Sequence, residues 1–578
     1  MKDYKKIYEE WLSNPYFDQD TKEELKAIAD DENEIKERFY MDLEFGTAGL
    51  RGIIGAGINR MNIYVVRRAT QGLANYIMKQ GGASKGVAIA YDSRRMSPEF
   101  ADEAARTLAA NGIMAYKFES LRPTPELSFA VRELGCIAGI NVTASHNPPE
   151  YNGYKVYWED GAQFTPPHDK GVTEEVLAIE DLSTVKTMTA SEAKAAGLYK
   201  VIGAEIDDKY IANVKAQVVN QEAITKMQDD ITIVYTPLHG TGNVPVRRVL
   251  KEIGFEHVHV VPQQELPDGE FPTVSYPNPE AAEAFELGLG MAKELNADLV
   301  LATDPDADRL GVYVKDSKSG DYIPLTGNMS GSLLCEYVLS QKKAQNAIPA
   351  DGEVVKSIVT TNLVDAVAES YNCKLVECLT GFKWIGQQIL KEEHTGEGHY
   401  MFGLEESYGC LIGTYARDKD AVSASVALCE AAAYYKTKNM TLWDAMVAMY
   451  EKYGYYKDAV KSIGLKGIEG LAKIQNIMDT LRNNTPAEVG GYKVVSARDY
   501  KLDTIKDMAT NEVKPTGLPA SNVLYYDMND GAWMCVRPSG TEPKIKFYYG
   551  VKGTSLEDAE EKSKVFGEAV QAMVDSML

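Results

Sequence analysis

Short apolar runs rich in β-branched residues alternate along the chain with longer stretches whose apolar residues recur at helical spacing. The alternation occurs three times. The first round predicts strands over 86–91, 113–118 and 137–142, with one helix opened by Ser97-Pro98 and another over 124–134. The second predicts strands over 231–235, 257–261 and 298–302, with helices over 245–253 and 281–295. The third predicts strands over 353–359, 374–377 and 400–403, with a helix between the first two and another over 382–391. Strands alternating with helices predict an α/β fold of three consecutive mixed, mostly parallel α/β/α domains. After them the pattern changes. Runs over 492–497, 522–526, 532–536 and 544–549 sit at hairpin spacing, and Thr554 with Glu557 reads as the capping box of a last helix. That predicts a smaller C-terminal α+β domain. The expected division is 1–205 (with a charged, helix-prone lead-in over 1–40), 206–320, 321–455 and 456–578, with 455–490 as a linker, around a central cleft.

Composition narrows the partners. A net charge of −23 argues against nucleic acid and anionic membrane, both of which need basic surfaces. No run of about 18 apolar residues predicts a membrane span, and the charged start shows no signal-peptide pattern. The seven cysteines are scattered singly with no Cys-x-x-Cys, which points to a reducing cytoplasm rather than a disulfide framework or structural zinc.

Each predicted α/β round ends in a polar loop, where ligands of such sheets bind. The first is Thr143-Ala144-Ser145-His146-Asn147-Pro148, with Lys155 downstream. A hydroxyl at a strand's end beside groups that move protons and hold anions suits a nucleophile, although an isolated Ser-His is ordinarily a turn residue. The second is Asp304-Pro305-Asp306-Ala307-Asp308-Arg309. Three carboxylates at alternate positions converge on a hard divalent cation, and Mg²⁺ suits a small oxygen set that works with phosphate. The third, Gly403-Leu404-Glu405-Glu406-Ser407, offers groups that fit sugar hydroxyls, and Arg309, Lys383 and the Arg417 and Lys419 of Arg417-Asp418-Lys419-Asp420 are candidate cations for the cleft. In the last domain Arg537-Pro538-Ser539-Gly540-Thr541-Glu542-Pro543-Lys544 has the composition of a phosphate cradle. Near the start, Phe45-Gly46-Thr47-Ala48-Gly49-Leu50-Arg51 is a Gly-rich loop whose Arg51 could neutralise phosphate. His239-Gly240-Thr241-Gly242 reads as a structural turn.

Taken together and in this order, the loops resemble those of the α-D-phosphohexomutase superfamily, most closely its bacterial phosphoglucomutase branch, over nearly the whole chain. The resemblance implies an isomerase that interconverts glucose 1-phosphate and glucose 6-phosphate. Ser145 would carry a phosphoryl group and hold Mg²⁺ together with Asp304, Asp306 and Asp308. Arg51, His146 and Lys155 would serve proton transfer and charge balance, while Glu405 and Ser407 grip the sugar. Arg537, Ser539, Gly540, Thr541 and Lys544 would anchor the phosphate that is not reacting, and glucose 1,6-bisphosphate would be primer and intermediate. The same mechanism on mannose or pentose phosphates, a metal-dependent serine phosphatase and a non-catalytic sugar-phosphate sensor are the competing readings. Pro305 and Ala307 stand where relatives often carry other residues, which touches the loop's geometry and not its ligands.

Overall fold

The nine strands of the three predicted rounds all form, each end within two residues of its predicted position. The computed structural model describes residues 3–45, 49–465, 467–539 and 544–578. They pack as two compact units: Met1–Thr326 with Phe382–Phe402 and Tyr408–Leu442, and Gly327–Gly381 with Gly403–Ser407 and Trp443–Leu578.

The first unit holds two sheets. Strands β1 (Gly49–Ile53), β2 (Val87–Tyr91), β3 (Ala115–Phe118), β4 (Ala138–Val142), β5 (Tyr151–Trp158) and β6 (Tyr199–Ile202) lie in the order β1-β5-β4-β2-β3-β6. Strands β2 and β4 are buried at every position, as parallel strands covered on both faces must be. Helices Ile63–Lys79 and Ser97–Ala110 pack Leu73, Ile77, Phe100 and Leu108 onto Ile89, Ile140 and Val142. Each of these large side chains stabilises the layer by roughly 1.5–3 kcal/mol. The antiparallel partners β1 and β5 were not predicted. Their apolar residues are interrupted by Gly, Asn, Arg and Lys, which hides the strand period.

Strands β7 (Ile233–Thr236), β8 (Val258–Val260), β9 (Leu299–Thr303), β10 (Leu310–Lys315) and β11 (Tyr322–Leu325) form the second sheet, ordered β11-β10-β9-β7-β8. The predicted lead-in is three short helices, Tyr4–Ser13, Gln19–Ala27 and Glu32–Phe39, capped by Asp3, Asp18 and Asp31. None would persist alone at that length. They are held by Trp11, which stacks on Phe17 at 4.1 Å and meets Phe39 and Tyr64 edge-on.

In the second unit β12 (Gly352–Ser357) runs parallel to β13 (Lys374–Cys378), flanked by helices Gly327–Ala344 and Leu363–Ser370. Strand β14 (His399–Glu405) begins in the first unit and ends in the second; β15 (Gly409–Leu411) follows in the first. The C-terminal strands are β16 (Tyr455–Gly464), β17 (Glu488–Val489), β18 (Tyr492–Asp499), β19 (Thr504–Asp507), β20 (Val513–Lys514), β21 (Leu524–Met528), β22 (Trp533–Pro538) and β23 (Lys544–Gly553). They form one antiparallel sheet along β16-β23-β22-β21-β18-β19-β20, with β17 on β18.

Two expectations change here. Residues 455–490 are not a linker: β16 pairs with β23 over ten residues, and helix Gly467–Asn483 contributes Ile474, Ile477, Met478 and Leu481 to the core. The long polar β16 alternates with a half-exposed face, so its apolar content was too low to read as a strand. The last helix, Leu556–Asp575, is capped by Ser555, whose side chain accepts from Asp558 N, one residue beyond the predicted Thr554–Glu557 box. Thr554 instead donates to the Asp558 carboxylate through both its amide and its hydroxyl.

Candidate functional site

Strand β4 delivers the chain to Ser145 at its carboxyl end, and antiparallel β5 brings it back with Lys155 opposite Asn141. Between them the turn is tight. Thr143 Oγ1 accepts from Ser145 N at 2.8 Å, and Ser145 itself takes a left-handed backbone, φ 51°. A non-glycine residue there stores strain, a frequent mark of functional positions. Gly153 is required beside it, because a Cβ would stand 2.4 Å from Thr143 O.

Strand β9, buried throughout, delivers Asp304 to meet that turn. Ser145 Oγ donates to Asp304 Oδ2 at 2.7 Å and lies 3.2 Å from His146 Nδ1. The other Asp304 oxygen accepts the amides of Asp308 and Arg309 at 3.2 and 3.1 Å, which closes the loop around it. Asp306 Oδ2 accepts from Lys155 Nζ at 2.8 Å and Thr124 Oγ1 at 2.7 Å. Asp308 Oδ2 pairs with Lys419 Nζ at 3.1 Å. The loop is backed by the turn read as structural: Thr241 N donates to Pro305 O at 2.8 Å, and a Cβ on Gly240 would come within 2.4 Å of Pro305 Cα.

Three buried carboxylates share this place with the Lys155 and Lys419 ammonium groups and with the Arg309 guanidinium, 3.7 Å from Asp308. Burial and the charges of Asp306 and Asp308 raise the Asp304 carboxyl well above its ordinary range. For Asp306, burial is outweighed by Lys155 and by Thr124, so its pKa falls. Burial likewise pulls on Lys155, yet the two aspartates more than offset it and keep the ammonium charged. His146 is the reverse: burial, then Arg309 and Arg51, drive it far below its usual value, so it is a neutral imidazole.

A divalent cation fits this donor set. Asp304, Asp306 and Asp308 each offer an oxygen within 4.8 Å of the others. Asp306 Oδ1 and Asp308 Oδ1 are buried with no hydrogen-bond partner among the described residues, a costly state unless a cation takes them.

The remaining predicted residues divide. Arg51 donates to Asn147 Oδ1 at 3.2 Å and Arg309 to Glu280 at 3.1 Å while lying 3.7 Å from Asp308, so both stand at the Ser145 loops. Arg417 does not. It is fully buried, its guanidinium bound to Glu393 and to the carbonyls of Thr414 and Ala416, and it acts within its own loop. Its neighbour Lys419 is the cation of that segment that reaches the aspartates. Lys383 lies over the Trp384 ring and lines a cavity of about 770 Å³ with Lys85, Arg132, Trp158 and His168, a cavity to which neither Ser145 nor the three aspartates contribute.

In the second unit, Glu405 is buried and accepts from Gly381 N at 2.8 Å, while Ser407 is half-buried. Arg537 and Ser539 end β22 half-buried, and Ser539 N donates to Lys544 O at 2.8 Å, pinning both ends of the cradle; Gly540 and Thr541 lie outside the described residues. Glu406 lies beside them, with Ser357 Oγ donating to it at 3.1 Å. Burial and the charge of Glu405 push it up to about 7. Its folded value lies above that of an unfolded glutamate, so its contribution to stability is whole below about pH 4.5 and is lost as pH rises through 7. Glu406→Gln is therefore expected to gain on the parent in melting temperature between pH 5 and pH 8, by roughly 2–6 °C. Parallel melting profiles for the two proteins would refute this.

The sequence gives no sign of a role at this site for Thr124, Asp92 or Arg94; Thr124 reads there only as a helix start. Lys419, by contrast, belongs to the run Arg417-Asp418-Lys419-Asp420 expected to supply a cation.

Comparison with known proteins agrees with this layout. The descriptions of phosphoglucomutase/phosphomannomutase α/β/α domains I, II and III match residues 42–183, 208–319 and 326–453. A phosphoglucomutase of Staphylococcus epidermidis is 36% identical over 516 residues, 89% of this chain and 92% of that one. One of Staphylococcus aureus is 35% identical over 542 residues, covering 93% and 95%. Among solved structures, a phosphoglucomutase/phosphomannomutase family protein of Burkholderia thailandensis shares the fold, with a TM-score of 0.63 at 20% identity over 92% of this chain and 98% of that one.

Proposed function

The chain belongs to the phosphoglucomutase/phosphomannomutase family, and from that premise we propose that it is an isomerase interconverting glucose 1-phosphate and glucose 6-phosphate. The observation that carries the mechanism is Ser145 Oγ, 2 % exposed as a residue, set 2.7 Å from Asp304 and 3.2 Å from the His146 imidazole. Phosphoserine 145 gives its phosphoryl group to a sugar hydroxyl: the Ser145 O–P bond breaks as the sugar O–P bond forms, and the hydroxyl's proton passes to a base. His146, whose Nδ1 lies 3.2 Å from Ser145 Oγ, offers the ring nitrogen for it, and Lys155, held protonated, neutralises phosphoryl oxygens and carries the proton for the departing serine oxygen. The resulting glucose 1,6-bisphosphate turns end for end and returns its other phosphate to Ser145.

Phosphoryl transfer of this kind depends on positioning and neutralised charge. Asp304, Asp306 and Asp308 would hold Mg²⁺ with an oxygen of Ser145, and the ion would supply positive charge to the transferring group. Arg51 and Arg309 add charge at the same loops, Glu405 and Ser407 hold sugar hydroxyls, and Arg537, Ser539, Gly540, Thr541 and Lys544 hold the idle phosphate. In this reading segments 1–205, 206–320, 321–455 and 456–578 supply the nucleophile, metal, sugar and phosphate sites in turn. Seven buried free cysteines and a charged substrate that does not cross membranes suit a reducing cytoplasm; among the described residues no helix is long and apolar enough to span a membrane.

The test supplies glucose, mannose and ribose 1-phosphates with Mg²⁺ and glucose 1,6-bisphosphate. Glucose 1-phosphate is expected to show the highest kcat/KM. A preference for mannose or ribose phosphate would reassign the sugar, and release of free phosphate in place of isomer would make the protein a serine phosphatase.

A further inference from the structure

Arg94 is among the largest fully buried side chains, 1 % exposed, and its hydrogen bonds and ion pair run to groups other than the three aspartates, although the charges of Asp306 and Asp304 still reach it. Nη2 donates to Ser145 O and to Asn147 O, both at 2.5 Å, and Nη1 to Pro148 O at 2.9 Å and Tyr151 O at 3.1 Å. Four carbonyls within seven residues, all in the turn that carries Ser145, thus end on one planar cation. The fork is itself fixed. Asp92, fully buried, lies 3.3 Å from Arg94 Nε and accepts from Arg94 N, Ser97 Oγ and Thr143 Oγ1 at 3.0, 2.8 and 2.6 Å. Thr143 Oγ1 in turn accepts from Ser145 N at 2.8 Å. Above the guanidinium, 5.0 Å away, lies the ring of Phe271 from the segment before β9, and Arg95 pairs with Glu270 of that segment.

We propose that Arg94 is the positioning residue of the nucleophile: held by Asp92 and covered by Phe271, it clamps the carbonyls on both sides of the turn and keeps Ser145 in the left-handed conformation that aims Oγ at Asp304. The physical need is plain. A left-handed serine costs of order 1–3 kcal/mol and persists only where its surroundings over-determine it. The apolar strand behind it cannot do so, since it ends at Val142. Charge-assisted bonds from a guanidinium to backbone carbonyls can, and lysine, with one point of attachment, cannot span four of them. Through Asp92 and Thr143 the same cation also reaches the Ser145 amide, so both peptide groups of the nucleophile are held.

The inference rests on Ser145 as the phosphate carrier, and the experiment separates the two. Ser145→Ala, Arg94→Lys, Thr143→Val and Thr143→Ser are compared with the parent for kcat, KM, magnesium affinity and melting temperature, with kcat normalised to the Ser145 that takes phosphate from glucose 1,6-bisphosphate. Turnover persisting in Ser145→Ala would remove the carrier itself. With that variant inactive, Arg94→Lys is expected to lose about 10²-fold in normalised kcat, the size of effect a misplaced reacting group produces, with KM and magnesium affinity within about threefold. A residue that merely held the fold together would lower the melting temperature and the active fraction and leave normalised kcat unchanged, and that result overturns the proposal, as does a raised KM with kcat retained. Should Arg94→Lys not fold, the Thr143 pair decides: a loss of at least about tenfold in Thr143→Val, restored by Thr143→Ser, is expected, and equal kcat in the two overturns it.

Discussion

Ser145→Ala is expected to lower isomerase turnover by at least about 10⁵-fold while leaving the protein folded. The alanine keeps the backbone, and its left-handed φ of 51° is no harder for alanine than for serine. What disappears is the oxygen that lies 2.7 Å from Asp304 and 3.2 Å from His146; the neighbouring hydroxyl, Thr143 Oγ1, is taken up by Asp92 and the Ser145 amide. Neither His146 nor Lys155 can replace it. The lysine is kept protonated by Asp306 and Asp308 against the pull of burial, so it has no free electron pair to attack phosphorus, and the histidine nitrogen near the site is 3.2 Å from Ser145 Oγ, which a substrate phosphate would have to displace. The check is isomer formation together with transfer of labelled phosphate from glucose 1,6-bisphosphate to the protein, and a melting temperature within about 3 °C of the parent. Labelling that persists at another residue would dismantle the mechanism.

Asp306→Asn is expected to lower kcat by about 10³-fold and to weaken magnesium binding in the same variant, the order found when a charge-stabilising group is removed from a desolvated site. Asp306 serves two charges at once. Oδ2 takes Lys155 and Thr124, whereas Oδ1, buried with no hydrogen-bond partner among the described residues, is left for the cation. The amide keeps the volume and can still accept from Thr124, but it removes the charge that sustains the Lys155 ammonium. Breaking one member of a buried pair costs roughly 3–5 kcal/mol, so a lowered melting temperature is expected as well. Isothermal titration with Mg²⁺ separates the effects: a weakened ion and a slowed enzyme support the site, and an unchanged magnesium affinity would place the ion elsewhere.

The cations around Ser145 and the three aspartates owe their partners to the fold and not to their order in the chain. Arg417 and Lys419 are two residues apart in one charged run, and nothing in their order tells them apart. Their side chains leave the loop on different sides, so that one is spent on Glu393 and neighbouring carbonyls and the other reaches Asp308. Thr124 opens a helix in the sequence and also donates to Asp306, 182 residues away. Asp92 and Arg94 form a turn after β2 that has no chemistry of its own, and their role exists only because β2 lies next to β4.

Local order settled the alternation of strands and helices, the strand ends from which Ser145, Asp304 and Glu405 project, and the convergence of Asp304, Asp306 and Asp308, whose oxygens lie within 4.8 Å of one another. These follow from hydrophobic period and turn chemistry, which act over a few residues and are written consecutively. Tertiary structure alone decided which cation faces which carboxylate, that burial and two arginines lower the His146 pKa while Asp306 and Asp308 hold that of Lys155 up, that β16 closes a sheet with β23, and that a buried arginine grips the Ser145 turn. Those outcomes depend on contacts between segments from about fifty to well over a hundred residues apart and on the desolvation they impose, and neither distance nor burial is carried by the order of residues along the chain.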